Sequence, residues 1–184
     1  MRPFQVGERV NVGGITGDIV EKTFLYTKVR TIKNEEVIVP SLQAIGSANT
    51  NYSALAPSRG LILHTTVTIG YDAPWRRVHE LLLEAARRTA DVEKDPAPFV
   101  WQTALNDFFV RYELNAYTRR PDRMMHIYAE LHQNIQDAFN EGGVEILSPH
   151  YLQLRDGNTS SIPEPHRRSE PRRFLVEARM KADG

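Results

Sequence analysis

Short runs of β-branched residues, separated at close intervals by turn-forming residues, constrain the first third of the chain more than any other feature. The breaks within residues 1–56 are Gly7, Gly13-Gly14, Gly17, Asn34 and Pro40. Val10 and Val12 alternate with polar neighbours such as Arg9, which predicts a strand with one face toward a core and one toward water. About five such strands in so short a segment favour a small, strongly bent β-barrel, because a flat sheet of that size buries too little apolar surface.

Helical periods alternate with strand-like runs from residue 57 onward. The first helix is predicted from Pro74 to about residue 90, with Asp72 as its cap and Trp75 on its apolar stripe. The second helix begins after Pro121 and ends at Gly142-Gly143, where a left-handed cap costs little. Strands are predicted at residues 61–69, 99–105, 108–117 and 144–147.

The order of these elements is strand, helix, strand, strand, helix, strand. This is the order of the ferredoxin-like βαββαβ arrangement, in which two helices cover one face of a four-stranded antiparallel sheet. We therefore predict an α+β protein: a small β-barrel domain at residues 1–56 followed by a ferredoxin-like α/β sandwich domain at residues 57–154. The short segment 54–60 has no sustained period of either kind and is predicted to be the linker.

Residues 155–184 form a polar tail rich in proline and arginine, and they contain too few apolar residues to fold alone. The exception is the run Phe174-Leu175-Val176, which is predicted to add an edge strand or to dock on a neighbouring subunit.

Several classes of protein are disfavoured by the totals. Lys+Arg and Asp+Glu are equal at 23 each, so no general basic surface is available for nucleic acid. Cysteine is absent, which excludes disulfides, thiolate nucleophiles and cysteine-bound zinc. The most apolar stretches, at residues 61–71 and 99–110, are interrupted by polar side chains and fall short of the roughly 20 apolar residues of a membrane span. No signal peptide is recognisable at the N-terminus.

Candidate ligand sites in the sequence favour ordinary structural roles. His126 and His132 are six residues apart on a predicted helix and therefore face different directions, and His150 with His166 has no metal-ligand spacing either. The glycines around Thr16 lack the Lys-Ser or Lys-Thr of a phosphate-binding loop. Asp91, Glu93 and Asp95 lack the glycine and terminal glutamate of a calcium loop. We predict no catalytic, cofactor-binding or metal-binding residues and no enzymatic activity.

A set of landmarks in a fixed order resembles the mechanosensitive channel of small conductance (MscS) family over about residues 3–154. In the first domain these are Pro3-Phe4, Val6-Gly7-Glu8, Gly14-Ile15-Thr16-Gly17, Val29-Arg30-Thr31, Val37 to Pro40, and Asn51-Tyr52-Ser53. In the second they are Ile69-Gly70-Tyr71, Pro98, Gly142 to Ile146, and Pro149. The sequence departs from the family pattern at Tyr26, at Lys33-Asn34-Glu35 and at Ser41.

The resemblance implies an Sm-like β-barrel directly after a pore-lining helix that would end before Pro3, so the chain is expected to be the water-soluble, cytoplasmic part of the channel without its transmembrane helices. It further implies a homo-oligomeric ring, with seven copies the usual number, on the cytoplasmic side of the inner membrane. Ions and small osmolytes would cross this cage during osmotic protection, and no cofactor or nucleic-acid partner is expected.

The alternative is an Sm-like RNA-binding protein or a soluble oligomeric adaptor. Both predicted folds are used for RNA binding in other proteins, but the balanced charge and the lack of paired stacking aromatics in the predicted strands disfavour it.

Overall fold

Two antiparallel sheets organise residues 4–147, the part of the chain that the computed structural model describes. The predictions for residues 148–154, for the tail at 155–184 and for His150 and His166 lie outside the described residues. Within residues 4–147, no helix is long and apolar enough to cross a membrane.

The first sheet confirms the predicted series of five short strands. They are β1 (Arg9–Val12), β2 (Ile15–Lys22), β3 (Tyr26–Thr31), β4 (Glu36–Pro40) and β5 (Thr50–Asn51). Their order across the sheet is β4-β3-β2-β1-β5, with antiparallel pairing throughout. The inward side chains of alternate positions form the core of this module: Val10, Val12, Ile19, Val29 and Val39. The alternation of apolar and polar residues therefore identifies the side chains that face the core.

Strands β4 and β5 are the two edges of this sheet. A short helix, α1 (Ser41–Gly46), connects them, and no hydrogen-bonded ladder joins them among the described residues. The number of strands is that of the prediction, whereas the closure of an Sm-like barrel stays a prediction.

The second sheet and its helices have the predicted ferredoxin-like order. A helical turn, α2 (Ala56–Arg59), leads into β6 (Leu61–Ile69), α3 (Trp75–Arg88), β7 (Phe99–Leu105), β8 (Val110–Thr118), a 3₁₀ turn (Pro121–Arg123) and α4 (Met124–Gly142). The strands are arranged β6-β8-β7. The last predicted strand is represented in the described residues by one antiparallel bridge between Ile146 and Ile69.

Helices α3 and α4 cover one face of the second sheet. Their apolar stripes meet β6 and β8 in one core, whose largest fully buried side chains are Ile69, Leu81, Leu82, Tyr112, Leu114, Leu131 and Phe139. Helix α4 ends as predicted, because Gly143 adopts the left-handed conformation at φ 66° and its N–H bonds back to the last turn.

Two local predictions were wrong. Helix α3 begins at Trp75 with Pro74 at the cap position and no side-chain cap, so Asp72 does not cap it. Trp75 is 46% exposed, because its ring lies at the gap between α3 and β7 and not over the sheet. The segment predicted as the linker contains one helical turn, α2 at Ala56–Arg59, and the domain boundary there stays a prediction.

The third correction concerns Arg9, which the alternating pattern places on the water-facing side of β1. Its side chain is only 7% exposed, because it forms an ion pair with Asp18 on the neighbouring strand and also donates from Nη2 to the backbone oxygen of Asp122, at 3.1 Å. Nearby, Tyr52 from the first module packs on Leu63 and Ile127 of the second. The two modules are therefore joined by both apolar and polar contacts.

Candidate assembly surfaces

Four large apolar side chains of the first module point into solvent at one end of its sheet. Phe24, Leu25, Leu42 and Ile45 are 94%, 72%, 87% and 83% exposed, respectively. We call these four residues the hairpin patch. Monomeric proteins rarely expose apolar surface in this concentrated form unless it serves an interaction.

Local hydrogen bonds hold the two halves of the hairpin patch together. The Oγ1 of Thr23 accepts hydrogen bonds from the backbone N–H groups of Leu25 and Tyr26, which shapes the turn between β2 and β3. The backbone N–H of Ser41 donates to the oxygen of Leu25 at 2.9 Å, and its hydroxyl donates to the oxygen of Phe24 at 2.8 Å. Because Ser41 is the first residue of α1, the turn and the helix are fixed side by side.

Helix α1 has too few residues to bury an apolar face of its own. Ala44 packs against the core of the first module, so Leu42 and Ile45, three residues apart, share a face that points outward. The sequence contains no local sign of this orientation, because leucine and isoleucine in a short segment are equally consistent with burial.

Charged side chains on the outer surface of β2, β3 and β4 form a network of ion pairs. Lys28 Nζ lies 3.3 Å from Glu21 and 3.7 Å from Glu36, and the hydroxyl of Tyr26 donates to Glu21 at 2.9 Å. The hydrogen bond from Tyr26, followed by that from Lys28, lowers the pKa of Glu21, and the hydrogen bond to Glu21 raises the pKa of Lys28. Tyr26, a departure from the family pattern, therefore serves as a neutral donor in a charged surface network.

A second candidate surface lies between the start of α3 and strand β7. Two adjacent depressions of ≈ 360 Å³ and ≈ 290 Å³ share Trp75 and Gln102 in their walls. The first is completed by His79, Val100 and Trp101, and the second reaches the rim residue Tyr71 and the floor residue Tyr112. We call the two depressions together the α3–β7 groove. Its walls are mainly apolar, which suits an apolar side chain better than a charged one.

His79 is the histidine in the wall of this groove. Its ring lies edge-to-face between Trp75 and Tyr112, at centroid distances of 5.2 Å and 5.7 Å. Its Nε2 atom is buried and has no hydrogen-bond partner among residues 4–147, and burial lowers the pKa of the imidazole below its ordinary value of 6.5. The neutral ring is therefore the form that fits between the two aromatic side chains.

We expect the stability of the protein to fall as the pH drops below 6.5, and His79 to contribute to that fall. The unfolded chain takes up a proton on His79 at its ordinary pKa, whereas the folded chain resists it, so acidification favours unfolding until the lower folded pKa is passed. Urea unfolding at pH 7.5 and pH 5 measures the difference. His79→Leu should reduce the loss of stability between these pH values, and the exposed His126→Leu serves as the control. An unchanged pH dependence in His79→Leu would contradict this account.

The histidine and acidic candidates form no metal site in the described part of the chain. The Nε2 of His132 lies 2.9 Å from the hydroxyl of Thr65, while His126 is exposed on another side of α4. Asp91 pairs with Arg123, and Glu93 lies near Arg119. Residues 4–147 contain no group of three or more His, Cys, Asp or Glu side chains placed to hold a metal ion. Gly13 and Gly14 lie in the turn between β1 and β2, and Gly17 lies within β2. These glycines therefore have the structural role that the sequence favours over phosphate binding.

A bent five-stranded sheet precedes a ferredoxin-like module in this chain, and comparison with known proteins identifies the family that has both. Residues 1–54 match the family model "Mechanosensitive ion channel, beta-domain", and residues 63–146 match "Mechanosensitive ion channel MscS, C-terminal". The chain belongs to the MscS family of mechanosensitive channels.

Individual relatives are similar over most of this chain but are longer. The miniconductance mechanosensitive channel MscM of Escherichia coli is 29% identical over 154 residues, which are 84% of this chain and 14% of that protein. The mechanosensitive channel MscK of the same organism is 27% identical over 118 residues, or 64% of this chain and 10% of that protein. The chain thus spans a minor part of both relatives.

The fold also matches a solved structure. The closed-state crystal structure of Helicobacter pylori MscS superposes with a TM-score of 0.66 at 17% identity, covering 85% of this chain and 60% of that one. At this level of identity the likeness concerns the fold alone, and it confirms the predicted α+β class.

Proposed function

We propose that this chain forms part of the wall of a hollow cage on the cytoplasmic side of the inner membrane, beneath the pore of an MscS-type channel. Identical copies assemble head to tail into a ring, with seven as the expected number. Ions and small osmolytes pass through the cage during osmotic stress. The proposed role is assembly and passage, and no catalytic step is part of it.

The hairpin patch is the observation that carries this proposal. The core of the first module contains five buried apolar side chains, so four further large ones in solvent are a considerable excess of apolar surface for so small a unit. Burying them against another copy recovers the hydrophobic free energy that the isolated module lacks. A neighbouring copy is the natural partner because the family consists of channels, which need several subunits around a pore.

The two sheet edges favour a ring over a symmetric dimer. Strands β4 and β5 lie at opposite edges of the same sheet, so a contact in which the β4 side of one copy meets the β5 side of the next uses two different surfaces. Such a head-to-tail contact, repeated about an axis, closes into a ring when the rotation per copy is a whole fraction of a turn. Open strand edges are also natural sites of pairing between chains.

The mass of the full chain in solution tests the proposal. We expect the wild-type chain to associate into a closed oligomer, and the double variant Leu42→Asp with Ile45→Asp to weaken each contact by about 30-fold or more, corresponding to roughly 2 kcal/mol for an interface hot spot. Native mass spectrometry and sedimentation velocity over a range of concentrations measure both.

The control is Ile32→Asp, which introduces one aspartate at another exposed isoleucine, in the turn between β3 and β4 at the opposite end of the strands. It should leave the assembly unchanged. A wild-type chain that stays monomeric at all concentrations, or a double variant that keeps the wild-type mass, would contradict the proposal.

A further inference from the structure

Strand β7 is an edge of the second sheet in the described part of the chain. It pairs with β8 on one side and is the last strand on the other. Its sequence, Phe-Val-Trp-Gln-Thr-Ala-Leu, contains no charged residue and no proline, which are the usual devices that prevent an edge from pairing with another strand. The register shift after Gln102 interrupts only its second half.

The opposite edge of the described sheet, strand β6, is contacted by side chains of helix α4. On β6, the backbone N–H of His64 donates to the hydroxyl of Tyr128 on α4 at 3.2 Å. The hydroxyl of Thr65 contacts His132 of the same helix. Side chains of α4 therefore occupy the edge of β6, while that of β7 has no comparable cover among the described residues.

Both faces of the sheet are apolar at the β7 edge. Val100 packs against the helix-side core, and that face opens into the α3–β7 groove with Trp75 in its wall. On the other face, Phe99 contacts Trp101 at 5.0 Å and Tyr117 at 6.1 Å between ring centroids. A strand added here would have to be apolar on both faces, and such strands have continuous apolar runs and not alternating ones.

We propose that the Phe174-Leu175-Val176 run of the chain's own tail adds to the edge of β7. It is the one run of three consecutive large apolar residues after Leu147. In an extended conformation, Phe174 and Val176 point to one face of the sheet and Leu175 to the other, so both apolar surfaces at the β7 edge gain cover. Charged residues flank the run, Arg172-Arg173 before it and Glu177 after it, and Arg76 at the groove offers Glu177 a partner.

The tail is long enough and starts in a suitable place. The described chain ends at Leu147, whose N–H donates to the oxygen of Thr68 at 2.8 Å and whose side chain lies beside Gly70. Tyr71, which follows Gly70 in the sequence, lies at the rim of the groove. The 26 residues from 148 to 173, treated as a flexible chain, span about 25–30 Å on average. This inference concerns the second module and does not depend on the assembly proposed for the first.

Tryptophan fluorescence of the full chain tests the proposal directly. The chain contains two tryptophans, Trp75 and Trp101, and both line the groove. We expect Leu175→Asp to shift their emission to the red and to make acrylamide quenching more efficient, because the charged side chain prevents docking. Ile162→Asp places the same change elsewhere in the tail and should alter neither quantity.

A synthetic peptide of residues 170–180 provides the second measurement. Added to the Leu175→Asp chain, it should restore the blue-shifted emission in a saturable manner. Unchanged emission in Leu175→Asp, or an equal shift in Ile162→Asp, would overturn the proposal. The same comparison is repeated at concentrations too low for self-association. If the red shift of Leu175→Asp relative to the wild type disappears there, the groove binds the tail of a second copy, and docking within one chain is overturned.

Discussion

Replacing Arg9 by alanine is expected to lower the free energy of unfolding by about 3 kcal/mol, since removing one partner of a buried ion pair leaves the other uncompensated. The Arg9 side chain donates to both oxygens of Asp18, at 2.6 Å and 2.9 Å, and to the oxygen of Asp122 at 3.1 Å. The hydrogen bond to Asp18 raises the pKa of Arg9, so the guanidinium stays charged at every accessible pH. The Asp18 side chain is 38% exposed, so water can solvate its charge when Arg9 is removed. The expected loss of stability therefore lies at the lower end of the range for breaking a buried ion pair.

Arg120→Ala is the matched control for this prediction. Arg120 also pairs with an aspartate, Asp122, at 2.9 Å, but both side chains are more than half exposed. Exposed pairs contribute little because water screens them and the side chains lose entropy on pairing, so we expect little change in stability. Urea unfolding followed by circular dichroism measures both variants. A loss in Arg9→Ala no greater than in Arg120→Ala would show that the buried pair does not stabilise the fold.

The position of Asp122 gives Arg9 a second role. Asp122 lies in the 3₁₀ turn that leads into α4, so the contact connects β1 of the first module to the start of a core helix of the second. We therefore expect Arg9→Ala to separate the unfolding of the two modules. Both tryptophans report on the second module, whereas circular dichroism reports on both, so the two transitions should coincide in the wild type and differ in the variant.

Local signals in the sequence account for the elements that were predicted correctly. Helix α4 lies between Pro121, which suits the start of a helix, and Gly143, which adopts the left-handed conformation at its end. The strands of the first module follow the alternation of their buried valines. In each case the residues that determine the element lie within it or next to it, so a single chain read in order contains the necessary information.

The predictions for Arg9 and Trp75 failed because the exposure of these side chains depends on residues far apart in the sequence. Arg9 is polar in an alternating strand, and its burial follows from a contact with Asp122, which is 113 positions away. Trp75 has the spacing of a core residue, but the place where α3 passes the edge of β7 determines its exposure. Neither property can be obtained from periodicity, because periodicity describes one element at a time.

The candidate surfaces were the least predictable part. The hairpin patch looks apolar in the sequence, and apolar residues are normally assigned to a core. Only the position of Ala44 toward the core of the first module shows that Leu42 and Ile45 face outward. For the tail, the sequence indicated the run Phe174-Leu175-Val176 but not its acceptor, because the open edge of β7 becomes visible only once the strand order is known.

Replacing Gly17 by alanine is expected to lower the free energy of unfolding by about 2–3 kcal/mol, the usual range for overpacking a filled interior. Gly17 is buried in β2, opposite Thr31 of β3. A Cβ atom at this position would lie 2.7 Å from the carbonyl carbon of Arg30, with the carbonyl oxygen closer still, and 2.8 Å from Cγ1 of Val29. The backbone of β3 cannot move aside as a flexible side chain would, so the two strands must separate locally and Val29 must shift within the core.

Gly46→Ala is the control for the same chemical change without the steric conflict. A Cβ atom at Gly46 would meet nothing within 4 Å, and its φ lies outside the left-handed region, so alanine should be neutral or slightly stabilising, by up to about 1 kcal/mol, through the unfolded state. Thermal and urea unfolding of the two variants measure the difference. Because β2 and β3 continue into the turn that bears Phe24 and Leu25, Gly17→Ala should also weaken assembly. Equal stability of Gly17→Ala and Gly46→Ala would show that β2 and β3 are not packed as closely as the structure indicates.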